Sequence, residues 1–473
     1  MKTQISLAAL LAAAPLPVAA QQHDHGQHQM PAPAPAPTPA PAPAPAPTPT
    51  PAPAPQPDHG QHHMPAPAPT PAPAPTPHQH HQHGPAQEEA APTKPGPHAV
   101  MASGTALLPA AEGGQHDGLH LMAGDWMIMG HGYLWGVATD QGGPRGDDMA
   151  FVQSMGMVTA ARDLGEGARI ELRTMFSLEP LMGRRGYPNL FATGETAFGE
   201  ALVDRQHPHD LFMELAARVE VDVADGATAF LYGGPVGEPA LGPPAFMHRR
   251  SARYQPMSPI AHHWFDSTHI TYGVATAGVR TRAFQLEGSL FTGREPDEER
   301  WGIDTPKFDS WSLRATLTPS PNWAMQVSHG RLKEPEALHG GDEARTTASV
   351  HYARGGLSAT LAFSAKNRIP GDTLTAWLAE ANWDIDARHT LFGRAEVTEN
   401  SELFPDHAHP LHDQAFRVAR FEGGYAYRIP IVKSVNLALG GTVAAYAKPD
   451  ALDPYYGKSP VSVTGFAKLS LGS

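Results

Sequence analysis

Apolar and polar residues alternate with period two through most of residues 125–473, in segments of about ten residues. In one such segment Ile170, Leu172, Thr174, Phe176 and Leu178 share a face, and Glu171, Arg173, Met175, Ser177 and Glu179 share the other. Phe284 to Phe291, Leu357 to Ala365 and Val435 to Val443 repeat the pattern. About sixteen candidate strands result, within a range of roughly 12–18, against the even 8 to 26 of bacterial barrels. They lie near 126–138, 150–161, 168–179, 213–224, 227–233, 267–280, 282–293 and 308–318, then 321–331, 344–354, 356–367, 373–386, 388–400, 415–428, 433–448 and 461–471. The connections alternate in length. Long ones include 180–212, 234–266, 294–307, 332–343, 401–414 and 449–460; short ones include Asp225-Gly226, Thr318 to Pro321, Gly355 and Ala387. Short turns at one end and long loops at the other mark an outer-membrane barrel, and with a periplasmic N-terminus every long connection falls outside. A soluble sandwich or propeller also alternates, but its loops need not. The expectation is an all-β fold, an antiparallel transmembrane β-barrel over 125–473. Trp301, Trp311, Trp323, Trp377 and Trp383 lie near strand ends or on apolar faces, where girdles or turn packing would place them. One departure is the ending Leu469-Ser470-Leu471-Gly472-Ser473, which lacks a terminal aromatic; Phe466 is the nearest.

The pattern stops upstream. Residues 1–20 read as a signal peptide, with Lys2 as charge, Ile5 to Ala14 as apolar stretch and cleavage before Gln21. Residues 21–98 are nearly devoid of aromatic and branched apolar side chains, so a disordered tail is expected there. Its Pro-Ala runs favour extended polyproline II, at roughly 3.1 Å per residue. Residues 99–124 are expected to be a linker.

The tail carries metal chemistry. Asp24-His25-Gly26-Gln27-His28-Gln29-Met30-Pro31 recurs as Asp58-His59-Gly60-Gln61-His62-His63-Met64-Pro65, and His78, His80, His81 and His83 follow. Imidazole with thioether suits copper, as Cu(I) or Cu(II); imidazole alone also suits Zn or Ni. Cleavage before Gln21 would place His23 third in the mature chain, where amine, two amides and imidazole offer Cu(II) or Ni(II) a square plane. A low-complexity linker is the alternative reading of the tail.

Within the barrel, the face carrying Glu171, Arg173 and Met175 would also hold Met127, Met129, His131, Met155 and Met157. These either offer successive Cu(I) sites or fill the wall. Three His/Asp groups fall at outer strand ends: His207 with His209 and Asp210; His262, His263, Asp266 and His269; and His407, His409, His412 and Asp413. Residues at alternate positions of an extended chain, such as 207 and 209, point the same way. The groups either converge on a metal or form a hydrogen-bond network over the mouth, with Asp204, Arg205, Arg184 and Arg185 as its salt-bridging members. The Gly/Pro-rich runs Gly183 to Gly194 and Gly233 to Pro244 are expected to be ordered loops, one of them folded into the pore mouth.

Bulk composition narrows the classes. Cysteine is absent, which removes disulfides and thiolate sites. Net charge is −13 with 17% charged residues and no basic stripe, so nucleic acid is not an expected partner. Ser267, His269 and Asp266 are too close along one strand to make a nucleophile-base-orienter line by themselves, and no enzyme activity is expected.

The strings Gly124-Asp125-Trp126-Met127, Met129-Gly130-His131-Gly132, Asp204-Arg205-Gln206-His207-Pro208-His209-Asp210-Leu211 and Phe291-Thr292-Gly293-Arg294-Glu295-Pro296-Asp297 resemble those of uncharacterised proteobacterial outer-membrane β-barrel proteins. The plan of a His/Met-rich exported segment before a barrel is similar to the copper-resistance protein B family. That resemblance implies copper handling and rests on organisation and tail, not on matched barrel motifs; the long Pro-Ala spacers depart from it. The expected function is copper binding, sequestration or efflux at the outer membrane of a Gram-negative bacterium, with the tail in the periplasm. Metal ions, outer-membrane lipid and periplasmic copper-handling proteins are the expected partners. The alternatives are a general porin or structural barrel with a metal-buffering or wall-reaching tail, and a rim-site hydrolase.

Overall fold

A computed structural model describes residues 98–113, 118–337 and 340–472. The signal peptide and the tail ligands His23, His25, His28, Met30, His59, His62, His63, Met64, His78, His80, His81 and His83 lie outside the described residues.

Sixteen antiparallel strands close into one barrel. They are β1 Trp126–Gln141, β2 Asp148–Asp163, β3 Ala168–Phe176, β4 Phe212–Ala224, β5 Ala227–Gly237, β6 Thr271–Thr281, β7 Phe284–Phe291 and β8 Ser310–Ser320. The second half is β9 Trp323–Leu332, β10 Asp342–Arg354, β11 Leu357–Ile369, β12 Thr373–Asp384, β13 His389–Asn400, β14 Phe416–Val432, β15 Val435–Ala447 and β16 Val461–Leu471. Each strand pairs with the next in sequence, and β16 closes on β1 through partners such as Phe466 and Val137. The strand Leu119–Ala123 turns back onto the start of β1, beyond the point where β16 ends.

Alternation is inverted relative to a soluble sheet. Leu286, Leu290, Leu313, Val327, Leu361, Trp377, Val443 and Val463 point outward and are exposed, whereas their neighbours Gln285, Glu287, Ser312, Arg314, Gln326, Thr360, Ala362, Leu378, Thr442, Ser462 and Thr464 are buried. An apolar outside and a largely polar inside are what a barrel wall in lipid requires, since closure also satisfies every ladder hydrogen bond. Inward positions two apart share a face, so they form ion pairs along one strand. Glu171 meets Arg173 at 2.6 Å, Glu343 meets Arg345 at 2.7 Å, and Arg420 pairs with Glu422.

Two segments fill the lumen. From the short-turn end, Ala99–Met101 and Leu107–Pro109 form a hairpin within the stretch expected to be linker. Arg173 Nη1 donates to the Gly104 carbonyl at 2.9 Å, Gln285 Nε2 to the Thr105 carbonyl at 2.9 Å, and Thr105 Oγ1 to Glu287. From the long-loop end, the β5–β6 connection, residues 238–270, runs inward. Gly242 N donates to Ser328 Oγ at 2.9 Å, Ser364 Oγ to the Trp264 carbonyl at 2.6 Å, and Arg394 Nη1 to the Met257 carbonyl at 2.8 Å. Arg249 of this loop binds Glu380 on β12 at 2.6 Å.

The expected run of loop from Gly233 begins later, because β5 continues to Gly237. A Cβ at Gly233 or Gly234 would lie 2.3 Å from the Val274 carbonyl or 2.1 Å from that of Leu215, so glycine here serves close strand approach. Conversely, the strand expected from 267 begins at Thr271, since Ser267–His269 is a single 3-10 turn.

Candidate metal centre in the lumen

The outer ends of β3, β4, β6 and β7 bring five histidines together. His207 and His209 lie on the segment entering β4, and His262, His263 and His269 precede β6. Ring centroids are 6.0 Å apart for His207–His262 and His207–His263, 5.2 Å for His262–His263 and His262–His269, and 5.3 Å for His209–His269. One ligand atom from each of His207, His262 and His263 lies within 4.8 Å of the others. Glu195, His263 and Glu295 meet the same criterion, so the two sets share His263.

Each imidazole has its Nδ1 committed. His209 donates to Glu179 at 2.9 Å, His262 to Asp266 at 2.9 Å and His263 to Glu295 at 3.1 Å. His207 donates to the Pro208 carbonyl at 3.0 Å and His269 to the Asp266 carbonyl at 2.7 Å. This fixes the ring orientation, as carboxylates and carbonyls do for metal-binding histidines. His207 Nε2, His209 Nε2 and His269 Nε2 are buried without a hydrogen-bond partner, although His207 Nε2 lies 3.3 Å from Glu195. Buried orphan nitrogens are costly and call for a partner, an ordered water or an ion.

Asp266 organises the centre. Besides His262 and, through its carbonyl, His269, it accepts from Phe246 N at 2.9 Å and from Arg249 Nη1 at 3.1 Å. Burial opposes its charge, yet His262 and Arg249 hold its carboxyl well below the usual range. Burial pushes His207, His262 and His269 down, so their rings are neutral. Burial acts on His209 and His263 too, but Glu179 and Glu295 outweigh it; His209 is raised and His263 reaches about 9. Gly194 makes room for His263: its φ is +109°, and a Cβ there would lie 2.5 Å from that ring.

The remaining sequence candidates separate. Met127 and Met129 line a cavity at the short-turn end, and His131 faces a different one. His407, His409 and His412 do not join the five histidines. His409 stacks on Phe404 at 4.5 Å and shares a 3.1 Å hydrogen bond with Tyr455, while His412 Nδ1 donates to the Phe404 carbonyl at 2.8 Å. These rings hold their own loop, so of the three groups only two converge. Ser267 Oγ accepts from Arg345 at 3.0 Å, and among the described residues no hydrogen bond joins it to His269. Arg205 pairs with Asp147 at 2.6 Å, Asp204 with Arg145 at 2.7 Å, and Arg184 with Glu298 at 3.3 Å, which ties the outer loops together.

Sequence reasoning did not identify Glu179, Glu195, Glu295 or Gly194 as members of the centre. Glu179 is the next inward position after Met175 and Ser177, and Glu295 sits in the Phe291–Asp297 string; those were the available signals.

No protein-family model and no curated protein matches the chain. Solved structures similar to it include Salmonella typhi OmpF in complex with daunomycin, at 8% identity and TM-score 0.48, spanning 75% of this chain and 100% of that one. An anion-selective porin from Comamonas acidovorans has 13% identity and TM-score 0.46 over 73% and 100% of the two chains. OprB of Pseudomonas putida has 11% identity and TM-score 0.45 over 76% and 95%.

Proposed function

We propose that the chain is an outer-membrane transport barrel whose cargo is a transition-metal cation, held in the lumen by His207, His262 and His263 with His209 and His269 beside them. The observation that carries this reading is the convergence of the rings: one ligand atom each of His207, His262 and His263 lies within 4.8 Å of the others, beside the buried, unpartnered Nε2 atoms of His207, His209 and His269 on rings whose Nδ1 atoms are already bound. Imidazole nitrogens without thiolate suit Cu(II), Zn(II) or Ni(II), and metal binding would displace the ring proton that Glu295 favours on His263. Copper is the leading cargo because the tail couples imidazole to thioether, and a periplasmic tail of weak sites would raise the local ion concentration at the barrel.

The test is metal counting on the full-length protein in detergent after loading with Cu(II) or Zn(II). The double variant His207→Ala/His262→Ala should hold one ion fewer per chain than the parent. Equal stoichiometry would remove the centre from the reading. A second reading, a general porin, is favoured by the wall itself, since barrels of 16–18 strands enclose an aqueous channel. Large, unselective conductance in planar bilayers, indifferent to metal, would support it over the first.

A further inference from the structure

A second group of ligand-type side chains lies on the wall of β1–β3. His131 stands opposite Met157 across the β1–β2 ladder, and Met157 stands opposite Met175 across β2–β3. Met155, Met157 and Met175 are all buried. The short 3-10 turn Phe246–His248 of the inner loop packs against this wall, with Met247 joining the methionine cluster. Between them is a cavity of about 180 Å³, lined by His131, Met155, Met247 and His248 among others.

Thioethers alone would be ordinary gap-filling in a core. The imidazoles are different. His131 Nδ1 and His248 Nε2 are buried without a hydrogen-bond partner, on two elements that both line this cavity. Burial above all pushes His248 down to about 3, so its ring is neutral. The basic groups on the cavity rim have partners. Arg249 is bound by Glu380 and Asp266, Arg250 and Arg253 lie 3.1 and 3.7 Å from Asp384, and Lys468 donates to the Arg253 carbonyl at 2.8 Å. Glu112 also reaches the cavity, with its Oε1 unpartnered.

We propose that this cavity is a second metal site, for a soft monovalent cation of the Cu(I) or Ag(I) class, with His131 Nδ1, His248 Nε2 and the sulfurs of Met155 and Met247 as ligands. Thioether is a soft, uncharged donor that suits Cu(I), imidazole accepts the same ion, and a set half made of thioethers serves hard ions poorly. A monovalent ion also suffers half the repulsion of a divalent one from the cationic rim. The site shares no ligand with the five-histidine centre and does not depend on the reading of that centre. Phe246 packs on His209, His262 and His269 while the next two residues line the cavity, so one turn separates the two sites.

The test is anaerobic titration of the full-length protein with Cu(I) in competition with a chromogenic Cu(I) chelator. Met155→Leu/Met247→Leu keeps side-chain volume and removes both sulfurs, a swap that cores tolerate. It should lose one equivalent of tightly held Cu(I) and keep the parent's Zn(II) stoichiometry. His248→Gln, which leaves the methionine packing intact, should lose the same equivalent. Retention of every Cu(I) equivalent by both variants, with folded barrels verified by heat-modifiable electrophoretic mobility, would overturn the proposal. Silver-soaked crystals give a direct reading: anomalous density between Met155 and Met247 is expected, and its absence there with silver bound elsewhere counts against the site.

Discussion

The two lumenal clusters differ less in their first ligands than in what stands behind them. At the five-histidine centre every Nδ1 is bound to a carboxylate or carbonyl, and the carboxyl groups of Glu179, Glu195, Glu295 and Asp266 surround the rings. At the β1–β3 cavity the sulfurs have no such support, and Glu112 is the lone carboxylate among its lining residues. Outer-shell acceptors orient ligands and raise their basicity, so the first cluster suits a divalent ion of borderline hardness. The second suits a soft ion that needs little charge compensation. On the two proposals above, one chain would present two kinds of metal chemistry a single turn apart, with selectivity set by the thioethers and carboxylates around each group of histidines rather than by histidine itself.

The largest effect expected on this contrast comes from Asp266→Ala. The change removes the acceptor for His262 and one of the two carboxylates on buried Arg249. Loss of one partner of a buried pair costs roughly 3–5 kcal/mol. Chemical unfolding in detergent should register that loss, and Zn(II) affinity should fall by about 10–100-fold, as when an outer-shell partner is removed. Cu(I) stoichiometry should be retained in the folded fraction. Equal damage to both metals would mean that the two clusters are one site.

A smaller effect is expected from Gly194→Ala. Position 194 has φ +109°, where a side chain is strained, and the new Cβ would press on His263. Strain of this kind costs about 1–3 kcal/mol. Zn(II) affinity should drop while that of the cavity for Cu(I) does not. Unchanged Zn(II) affinity would show that His263 is not a ligand and would move the divalent site towards His209 and His269.

Why the wall was legible and the centre only partly so follows from the same geometry. Lipid outside and a filled, largely polar lumen inside impose a two-residue period, so Ile170 to Leu178 declares both its faces without any tertiary knowledge. His207 and His209 were legible as a same-side pair for that reason. The meeting of His207 with His262 depends on barrel closure and on the path of residues 238–270, and neither has a periodicity. The acceptors Glu179 and Glu295 follow β3 and β7, 30 and 32 residues along the chain from the rings they hold, so no local spacing links them to those rings. The hairpin Ala99–Pro109 was invisible as a lumen segment because its short apolar run carries no sign of what it packs against.

The third histidine group supplies the smallest and most discriminating test. In sequence, His407, His409 and His412 were as good a ligand set as the other two. In the structure His409 lies flat on Phe404, edge-on to Tyr455 and 3.1 Å from its hydroxyl. Leu411 N donates to its Nδ1 at 3.1 Å, so both ring nitrogens are engaged within the loop's own packing. An imidazole used in this way has no lone pair to give to a metal. His409→Ala should therefore cost about 0.5–1.5 kcal/mol of stability, the worth of an aromatic contact. It should leave both Zn(II) and Cu(I) binding at the parent's values. If Zn(II) affinity falls with His409→Ala, the outer loop reaches the centre, and the separation of loop histidines from lumen histidines fails. If only stability falls, a histidine beside other histidines is a ligand here when one nitrogen is left without a partner, and a packing residue when neither is.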